Sequence, residues 1–279
     1  MNQKNTPFQA IAAFNVVVLF CSSYAFAGDR DEIPIKNLIL PGEAFHVEGR
    51  PAFIFWPETQ KRSAPQPWVM YGPTLPCCPD VHEKWMHQQF LDAGIAVAGI
   101  DVGEGYGSPK SQALFTALYN ELVNNRDFAE KPCLLGRSRG GLWCSSWAIR
   151  NTDKVAGFAG IYPVFDLRSY PKLPLAAPAY EMTTEQLQAS LTEHNPIAKI
   201  DSLPAAKVPV FIIHGAVDKV VPLEDNSAAV LKSYHDAGAD DLIKLTVVDD
   251  QGHNFWPGFF TSQDLVDFVI NCAKSGSKK

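Results

Sequence analysis

The sequence has no cluster of basic residues of the kind that binds a nucleic-acid backbone. Its 24 Lys and Arg residues are outnumbered by 30 Asp and Glu residues, which gives a formal net charge of -6. Proteins that bind DNA or RNA place a basic patch against the phosphates. We therefore expect no nucleic-acid partner. Internal repeats and low-complexity segments are also missing, so a repeat architecture is not expected.

Long apolar runs are missing too, apart from one near the start. Residues 10–20, AIAAFNVVVLF, follow Lys4 and precede the small-x-small sequence AFA at 25–27. This run is shorter than the roughly 20 apolar residues that span a bilayer. The order of charge, apolar run and small residues is typical of a secretory signal peptide. We predict a signal peptide over 1–27, a mature chain over 28–279, a secreted or periplasmic location and no stable membrane anchor.

Common metal-binding motifs do not occur: the sequence contains neither CxxC nor HExxH. No metal site is therefore predicted. Five cysteines follow the predicted signal peptide, at Cys77, Cys78, Cys133, Cys144 and Cys272. Export permits disulfides, but the sequence leaves their pairing open, and the odd number leaves at least one outside an intramolecular pair.

What the sequence does contain is an alternation of short apolar runs and amphipathic segments, in a chain of 279 residues that is 46% hydrophobic. The run IAVAGIDV is typical of a strand buried on both faces, and Leu114, Leu118 and Leu122 have helical spacing. The earlier segment EAFHVEGRPAFIFWPE indicates two strands joined by a turn. We predict one α/β domain with a mostly parallel, doubly wound sheet and antiparallel leading strands.

Residues 166–204 interrupt this alternation and contain five prolines. The segment is too long for an ordinary connection between elements. We expect it to be irregular and to form a short lid inserted into the single domain.

The segment CLLGRSRGGLW, residues 133–143, carries the first functional signal. Ser138 lies between a predicted buried strand and a predicted helix, in the pattern G-x-S-x-G that is called a nucleophile elbow. The turn is so tight that the positions two before and two after the serine must be nearly free of side chain, and Gly136 and Gly140 meet that demand. The pattern predicts an exposed hydroxyl at a helix N-terminus, where developing negative charge is favoured.

A serine hydroxyl is a weak nucleophile without a base. The segment VFIIHGAVDKVVP places Asp218 after one later strand, and LTVVDDQGHNFW places His253 after the next. This is the chain order Ser, Asp, His that an elbow architecture requires. We predict that His253 takes the proton of Ser138 and that Asp218 orients His253 and stabilises its charged form.

Other residues compete for these roles. His214 lies at a strand end and is interpreted as structural, while Asp249 or Asp250 could serve as a second orienting acid. The alternative without catalysis makes Asp218 a helix cap, His253 a loop residue and Ser138 a turn residue.

These motifs resemble the α/β-hydrolase superfamily over roughly residues 35–275. The segments GRSRGG, HGAVDKVVP and DDQGHNF are most similar to those of its dienelactone hydrolase and prolyl oligopeptidase-like branches. The resemblance implies the α/β-hydrolase fold and acyl transfer to water, with no cofactor.

The oxyanion hole of this architecture uses the backbone N–H after the nucleophile, here that of Arg139, and an N–H from an earlier strand–helix loop. Many relatives have His-Gly-x in that loop, but this chain has Pro73, which lacks an N–H. The second donor is therefore predicted at Thr74 or Leu75. The resemblance to prolyl oligopeptidases offers the hydroxyl of Tyr71 as a further possibility.

The two arginines around the nucleophile have several interpretations. Arg139 either binds an acidic substrate group, which would resemble the G-x-S-R motif of glucuronoyl esterases, or pairs with a carboxylate such as Glu104. Arg137 is expected to pack at the sheet edge or to pair with an acid. Glu104, Tyr106 and Trp256 are predicted to line the substrate pocket, together with Tyr71.

The sequence thus predicts an exported serine hydrolase of carboxylic esters. The expected substrate is a small-molecule or carbohydrate-linked ester, such as an acetyl, feruloyl or uronate ester. Two alternatives remain: a peptidase of the prolyl oligopeptidase type and a catalytically inactive hydrolase fold used for binding. The oligomeric state is open.

Overall fold

A computed structural model describes residues 36–277, and the predicted signal peptide lies outside these residues. These residues contain eight strands: β1 (Gly42–Val47), β2 (Arg50–Phe55), β3 (Trp68–Gly72), β4 (Ala96–Ile100), β5 (Cys133–Arg137), β6 (Gly157–Ile161), β7 (Val210–Gly215) and β8 (Ile243–Val248). The eight strands form one sheet in the order β1-β2-β4-β3-β5-β6-β7-β8. The first two strands pair antiparallel and β2 joins β4 antiparallel, while β3 to β8 are parallel. The prediction of a mostly parallel sheet with antiparallel leading strands is confirmed.

Helices cover both faces of this sheet. They are α1 (Lys84–Asp92), α2 (Pro109–Asn125), α3 (Gly140–Ala148), α4 (Leu173–Ala176), α5 (Thr184–Ala189), α6 (Leu191–His194), α7 (Ser202–Ala205), α8 (Ser227–Asp236), α9 (Pro257–Phe260) and α10 (Gln263–Gly276). One hydrophobic core cluster includes side chains of α2, α3 and α8, and the other includes side chains of α1, α9 and α10. Within residues 36–277, no helix combines the length and apolar composition that crossing a membrane requires.

Strand β3 shows how the sheet separates its two cores. Trp68 and Met70 belong to the core cluster of α2 and α3, whereas Val69 and Tyr71 belong to the cluster of α1 and α10. Successive side chains of a strand point to opposite faces, and all four of these are fully buried. The side chain of Tyr71 therefore points into the core that contains side chains of α1 and α10.

Residues 173–204 contain a series of short α-helices and 3₁₀ turns, so the expectation of an irregular segment was wrong. Three of the five prolines stand at the starts of short helical turns: Pro174 in α4, and Pro178 and Pro196 in two 3₁₀ turns. Proline is tolerated there because the first N–H groups of a helix have no intrahelical partner. The segment packs on the core through Leu187 and Tyr180. Its movement as a lid stays a prediction.

Candidate active site

The turn between β5 and α3 holds Ser138 in a strained backbone conformation. Its φ is +52°, in the left-handed region that non-glycine residues rarely adopt. The N–H of Ser138 donates to Ile161 O at 3.0 Å, and the N–H of Val164 donates to Ser138 O at 2.9 Å. A Cβ at Gly140 would lie 2.1 Å from the carbonyl carbon of Gly72, so only glycine fits there. The turn thus presents the hydroxyl and brings the loop after β3 against the start of α3.

The structure brings Ser138, His253 and Asp218 together at the carboxyl edge of the sheet. Ser138 Oγ lies 2.8 Å from His253 Nε2, and His253 Nδ1 lies 2.7 Å from Asp218 Oδ2. Asp218 follows β7 and His253 follows β8. When Nδ1 carries the proton and donates it to Asp218, Nε2 is left to accept from the serine hydroxyl. This arrangement can remove the serine proton during attack on a carbonyl carbon.

The carboxylate of Asp218 is held ionised by hydrogen bonds. Burial by itself would raise its pKa, but hydrogen bonds from His214 and His253 and from the Val221 N–H outweigh burial and keep the pKa well below its usual range. Oδ1 accepts from the backbone N–H groups of Val220 at 2.9 Å and Val221 at 2.8 Å. Asp218 therefore carries the negative charge needed to stabilise an imidazolium on His253.

The rival residues take other positions. His214 is fully buried, with Nε2 2.9 Å from Val221 O and Nδ1 2.6 Å from Ser227 Oγ. It supports the loop that carries Asp218, which confirms its structural interpretation. Among the described residues no hydrogen bond joins Asp249 or Asp250 to His253, and both are exposed.

Sequence reasoning missed Tyr162. Its ring centroid lies 4.3 Å from that of His253, and its φ is +34°. Phe259 packs edge-on against the Tyr162 ring, with the two ring centroids 5.1 Å apart. Tyr162 directly follows β6, and residues that follow parallel strands converge at one edge of the sheet. That position was the signal that could have placed it beside His253.

The predicted oxyanion donors have different surroundings. No backbone or side-chain acceptor in residues 36–277 receives the N–H of Arg139 or of Thr74, and both residues lie where β5 and β3 end. Leu75 forms an isolated antiparallel bridge with Cys78, whose N–H donates to Leu75 O at 3.0 Å. This hydrogen bond uses the carbonyl of Leu75, and the N–H of Leu75, like that of Thr74, has no acceptor at hydrogen-bond distance in residues 36–277. The choice between Thr74 and Leu75 as the second donor stays a prediction.

Tyr71 cannot contact the substrate or an oxyanion. The side chain is 0% exposed, and its hydroxyl donates to Glu83 Oε1 at 2.6 Å. The prediction was wrong because the alternation of β3 turns this side chain into the core, whereas the relatives' pattern was transferred without that register.

Arg137, just before the nucleophile, forms a buried ion-pair cluster. Its Nη1 donates to Asp80 Oδ2 at 2.9 Å and to Glu83 Oε2 at 2.8 Å. The guanidinium carbon also lies 5.9 Å from the ring of Phe255 and 5.8 Å from that of Phe260. The prediction that Arg137 pairs with an acid is confirmed. The cluster connects the nucleophile turn with the segment after His253.

Arg139 pairs with Glu104 through Nη1 and Oε1, as one of its two interpretations predicted. Its guanidinium also lies 5.9 Å from the ring of Tyr170. Tyr106 adjoins this pair, and burial raises its pKa. Trp256 is 39% exposed and packs edge-on against Phe259. Contact of these side chains with a substrate stays a prediction.

The sequence signature of the prolyl oligopeptidase family matches residues 112–274, more than half of the chain. A search of curated protein sequences found no significant match. Among solved structures, the chain is similar to a puromycin-hydrolyzing peptidase of Mycobacterium tuberculosis at 18% identity and a TM-score of 0.63, covering 85% of this chain and 39% of that chain.

Two further solved structures are similar to this chain over most of their own length. The S-formylglutathione hydrolase of Staphylococcus aureus has 15% identity and a TM-score of 0.65, with 83% of this chain and 98% of that chain covered. Est1E from Butyrivibrio proteoclasticus has 19% identity and a TM-score of 0.62, again with 83% and 98% covered. At these identities the likeness shows the fold alone.

The sheet order and the similar structures define the class of fold: the chain has the α/β-hydrolase fold, with a hydrogen-bonded serine, histidine and aspartate at its candidate active site. The matched signature makes the assignment narrower. The chain belongs to the prolyl oligopeptidase family, as its motifs led us to expect. It spans about two fifths of the length of the first similar structure, 39% of that chain.

Proposed function

We propose that this protein hydrolyses carboxylic esters through an acyl-enzyme on Ser138. The observation that carries the proposal is the unbroken hydrogen-bond chain from Ser138 Oγ through His253 to Asp218, at 2.8 and 2.7 Å. His253 accepts the serine proton as Oγ attacks the ester carbonyl, and then donates it to the departing alcohol. Water deprotonated by His253 attacks the acyl-enzyme in turn and releases the acid.

The negative charge on the tetrahedral intermediate needs two N–H donors. We assign these to the backbones of Arg139 and Thr74, whose N–H groups have no acceptor in the described part of the chain. The contact between Gly140 and Gly72 supports this assignment because it sets the two segments side by side. Donors fixed in this way before substrate binds stabilise the developing charge without reorganisation.

We infer that the ester is small or carbohydrate-linked. The ion pair of Arg139 and Glu104 and the exposed ring of Trp256 support this, because sugars are bound by polar groups and aromatic faces together. The predicted export over 1–27 agrees with a polysaccharide-derived substrate outside the cytoplasm. N-terminal sequencing of protein recovered from a secreting host would test export: a start near Gly28 supports it, and an intact Met1 contradicts it.

A peptide bond is the second candidate substrate. The family signature over residues 112–274 favours it, because the family takes its name from a peptidase. An ester and an amide differ in the leaving group that His253 must protonate, and an amine needs this proton more than an alcohol does. The same triad therefore serves either reaction, and the substrate must be distinguished by rate.

Labelling of the protein with a fluorophosphonate, compared between wild type and Ser138→Ala, tests the nucleophile. Rates with p-nitrophenyl acetate, a methyl uronate ester and a prolyl p-nitroanilide then rank the substrates. Labelling and ester turnover that both vanish in the variant are expected. Faster cleavage of the anilide would establish the peptidase instead, and an unlabelled wild type would leave a hydrolase fold used for binding.

A further inference from the structure

Two adjacent cysteines lie on the loop that carries the predicted oxyanion donor. Cys77 Sγ lies 3.5 Å from Cys78 Sγ, so the sulfurs are in contact without a covalent bond. Cys77 is exposed and Cys78 is buried. The loop between Leu75 and Cys78 is closed by the Cys78 N–H, which donates to Leu75 O at 3.0 Å. Lys36 Nζ donates to the carbonyl oxygens of both Leu75 and Cys78.

The buried sulfur of this pair contacts the nucleophile turn. Arg137 Nη2 lies 3.4 Å from Cys78 Sγ, and Arg137 directly precedes Ser138. Thr74, our second oxyanion donor, directly precedes Leu75. A change at the sulfurs therefore reaches Ser138 by two short routes, through the guanidinium of Arg137 and through the backbone of the loop.

We propose that Cys77 and Cys78 form a site of reversible oxidation, at which a low-molecular-weight disulfide converts the two thiols into a disulfide between neighbouring residues. The Cys77 thiolate attacks one sulfur of oxidised glutathione and releases one glutathione thiolate. The Cys78 thiol transfers its proton to that thiolate and attacks the Cys77 sulfur, which releases the second glutathione as a thiolate; this thiolate takes up from water the proton that Cys77 had lost. Two protein thiols and one glutathione disulfide thus become one protein disulfide and two molecules of glutathione.

The difference in exposure between the two thiols sets the order of these steps. A hydrogen bond with Cys77 and burial both raise the pKa of Cys78, so the exposed Cys77 is the thiol that meets the oxidant. Cys78 lies in contact and resolves the mixed disulfide. Neighbouring Cα atoms are about 3.8 Å apart, shorter than the roughly 4.4 Å minimum of ordinary disulfides, so this bond is strained and easily reduced. Closure and reopening both follow the redox state of the surroundings.

The effect on catalysis rests on the function proposed above. Bonding to Cys77 withdraws Cys78 Sγ from Arg137 and tightens the loop that carries Thr74. Loss of a single oxyanion donor lowers kcat by about a hundredfold or more. We expect the disulfide form to label with a fluorophosphonate at least about tenfold more slowly than the dithiol form.

Mass spectrometry tests the site independently of any hydrolysis. Trypsin releases residues 63–84, a peptide that contains Cys77 and Cys78 and no other cysteine. The full-length protein is treated with oxidised glutathione or with a phosphine reductant and then alkylated. After oxidation, the peptide is expected to have lost two hydrogen atoms and to carry no alkyl group. Two alkylated thiols, or two bound glutathiones, would overturn the proposal.

The regulatory part is tested by the fluorophosphonate labelling rate of both redox forms. Cys77→Ser removes one exposed sulfur and should label at one rate in either condition. Cys272→Ser is the matched control, because Cys272 interacts with Cys133 on the other side of the domain, and it should retain the difference. A difference that persists in Cys77→Ser overturns the regulatory part. Failure of Ser138 to label in both forms overturns the proposed function and that part, while an oxidised peptide still supports the site.

Discussion

The guanidinium of Arg137 and the carboxylate of Glu83 form a 2.8 Å ion pair in which the two side chains are only 9% and 1% exposed. Removing one partner of such a pair leaves an uncompensated buried charge, which destabilises a protein by about 3 to 5 kcal/mol. We expect Arg137→Met to lower the free energy of unfolding by this amount in urea denaturation. Adding Glu83→Gln should restore part of the loss, because the buried charge is then removed.

Lys232→Ala is the control for this prediction. Lys232 pairs with Asp236 on the exposed side of α8, with side chains 73% and 59% exposed. Exposed pairs contribute less than about 1 kcal/mol. A loss for Arg137→Met no larger than that for Lys232→Ala would mean that the cluster beside the nucleophile does not stabilise the fold.

The positive φ of Ser138 predicts that a side chain at this position lowers the stability of the fold. Ser138→Gly and Ser138→Ala both remove the hydroxyl, but only glycine adopts a φ of +52° without strain. Glycine should therefore be the more stable variant by about 1 kcal/mol, measured by thermal or urea unfolding.

The same two substitutions at Ser233, inside α8 (Ser227–Asp236), provide the matched control. Alanine is there the more stable variant by about 1 kcal/mol, since glycine weakens a helix interior. If alanine were the more stable variant at position 138 as well, the nucleophile turn would not be strained.

The depressed pKa of Asp218 predicts a loss of stability in acid. Because its folded pKa lies below the unfolded value of about 3.9, ionised Asp218 stabilises the fold above that pH and ceases to do so as pH falls. The free energy of unfolding of the wild type should therefore fall more steeply below about pH 4 than that of Asp218→Asn. Asp249→Asn, at an exposed position after β8, should keep the wild-type slope. Equal slopes in all three proteins would show that Asp218 is not held ionised.

The pair of Arg139 and Glu104 predicts a change in substrate preference. Glu104→Gln removes the negative charge that neutralises Arg139, which leaves the guanidinium for an acidic group of the substrate. We expect kcat/KM for a p-nitrophenyl ester whose acyl group carries a free carboxylate to rise about tenfold relative to p-nitrophenyl acetate, the effect of one hydrogen bond to a charged group. Glu43 lies on the edge strand β1, and its carboxylate pairs with Arg126. Glu43→Gln is therefore the control and should leave the ratio unchanged. An unchanged ratio in Glu104→Gln would place Arg139 outside the substrate site.

The elements that could be predicted from the sequence were those with a strong local pattern. The conformations of the run IAVAGIDV and of the glycine-rich turn around Ser138 are set mainly by residues close in sequence. Strand β4 and the turn accordingly lie where the sequence predicted them. Asp218 and His253 were found because each comes shortly after a segment with a strand pattern, Asp218 after β7 and His253 after β8. The positions that failed depend on register or on distant partners. Tyr71 was misplaced because one residue of register decides which core a strand side chain enters. Tyr162 was missed because the sequence around it carries no pattern that indicates contact with His253.

The hydrogen bond between Ser138 and His253 joins residues 115 positions apart in the chain. Three more strands, β6, β7 and β8, must add to the sheet after β5 before this bond closes. Contacts of such long sequence separation form late, because the entropy of closing the loop must be overcome first. During refolding we therefore expect the nucleophile turn to form before His253 reaches Ser138, and fluorophosphonate labelling to lag behind the recovery of secondary structure. Labelling of Ser138 therefore reports that the sheet is complete, and a partly folded chain is not expected to react with the fluorophosphonate.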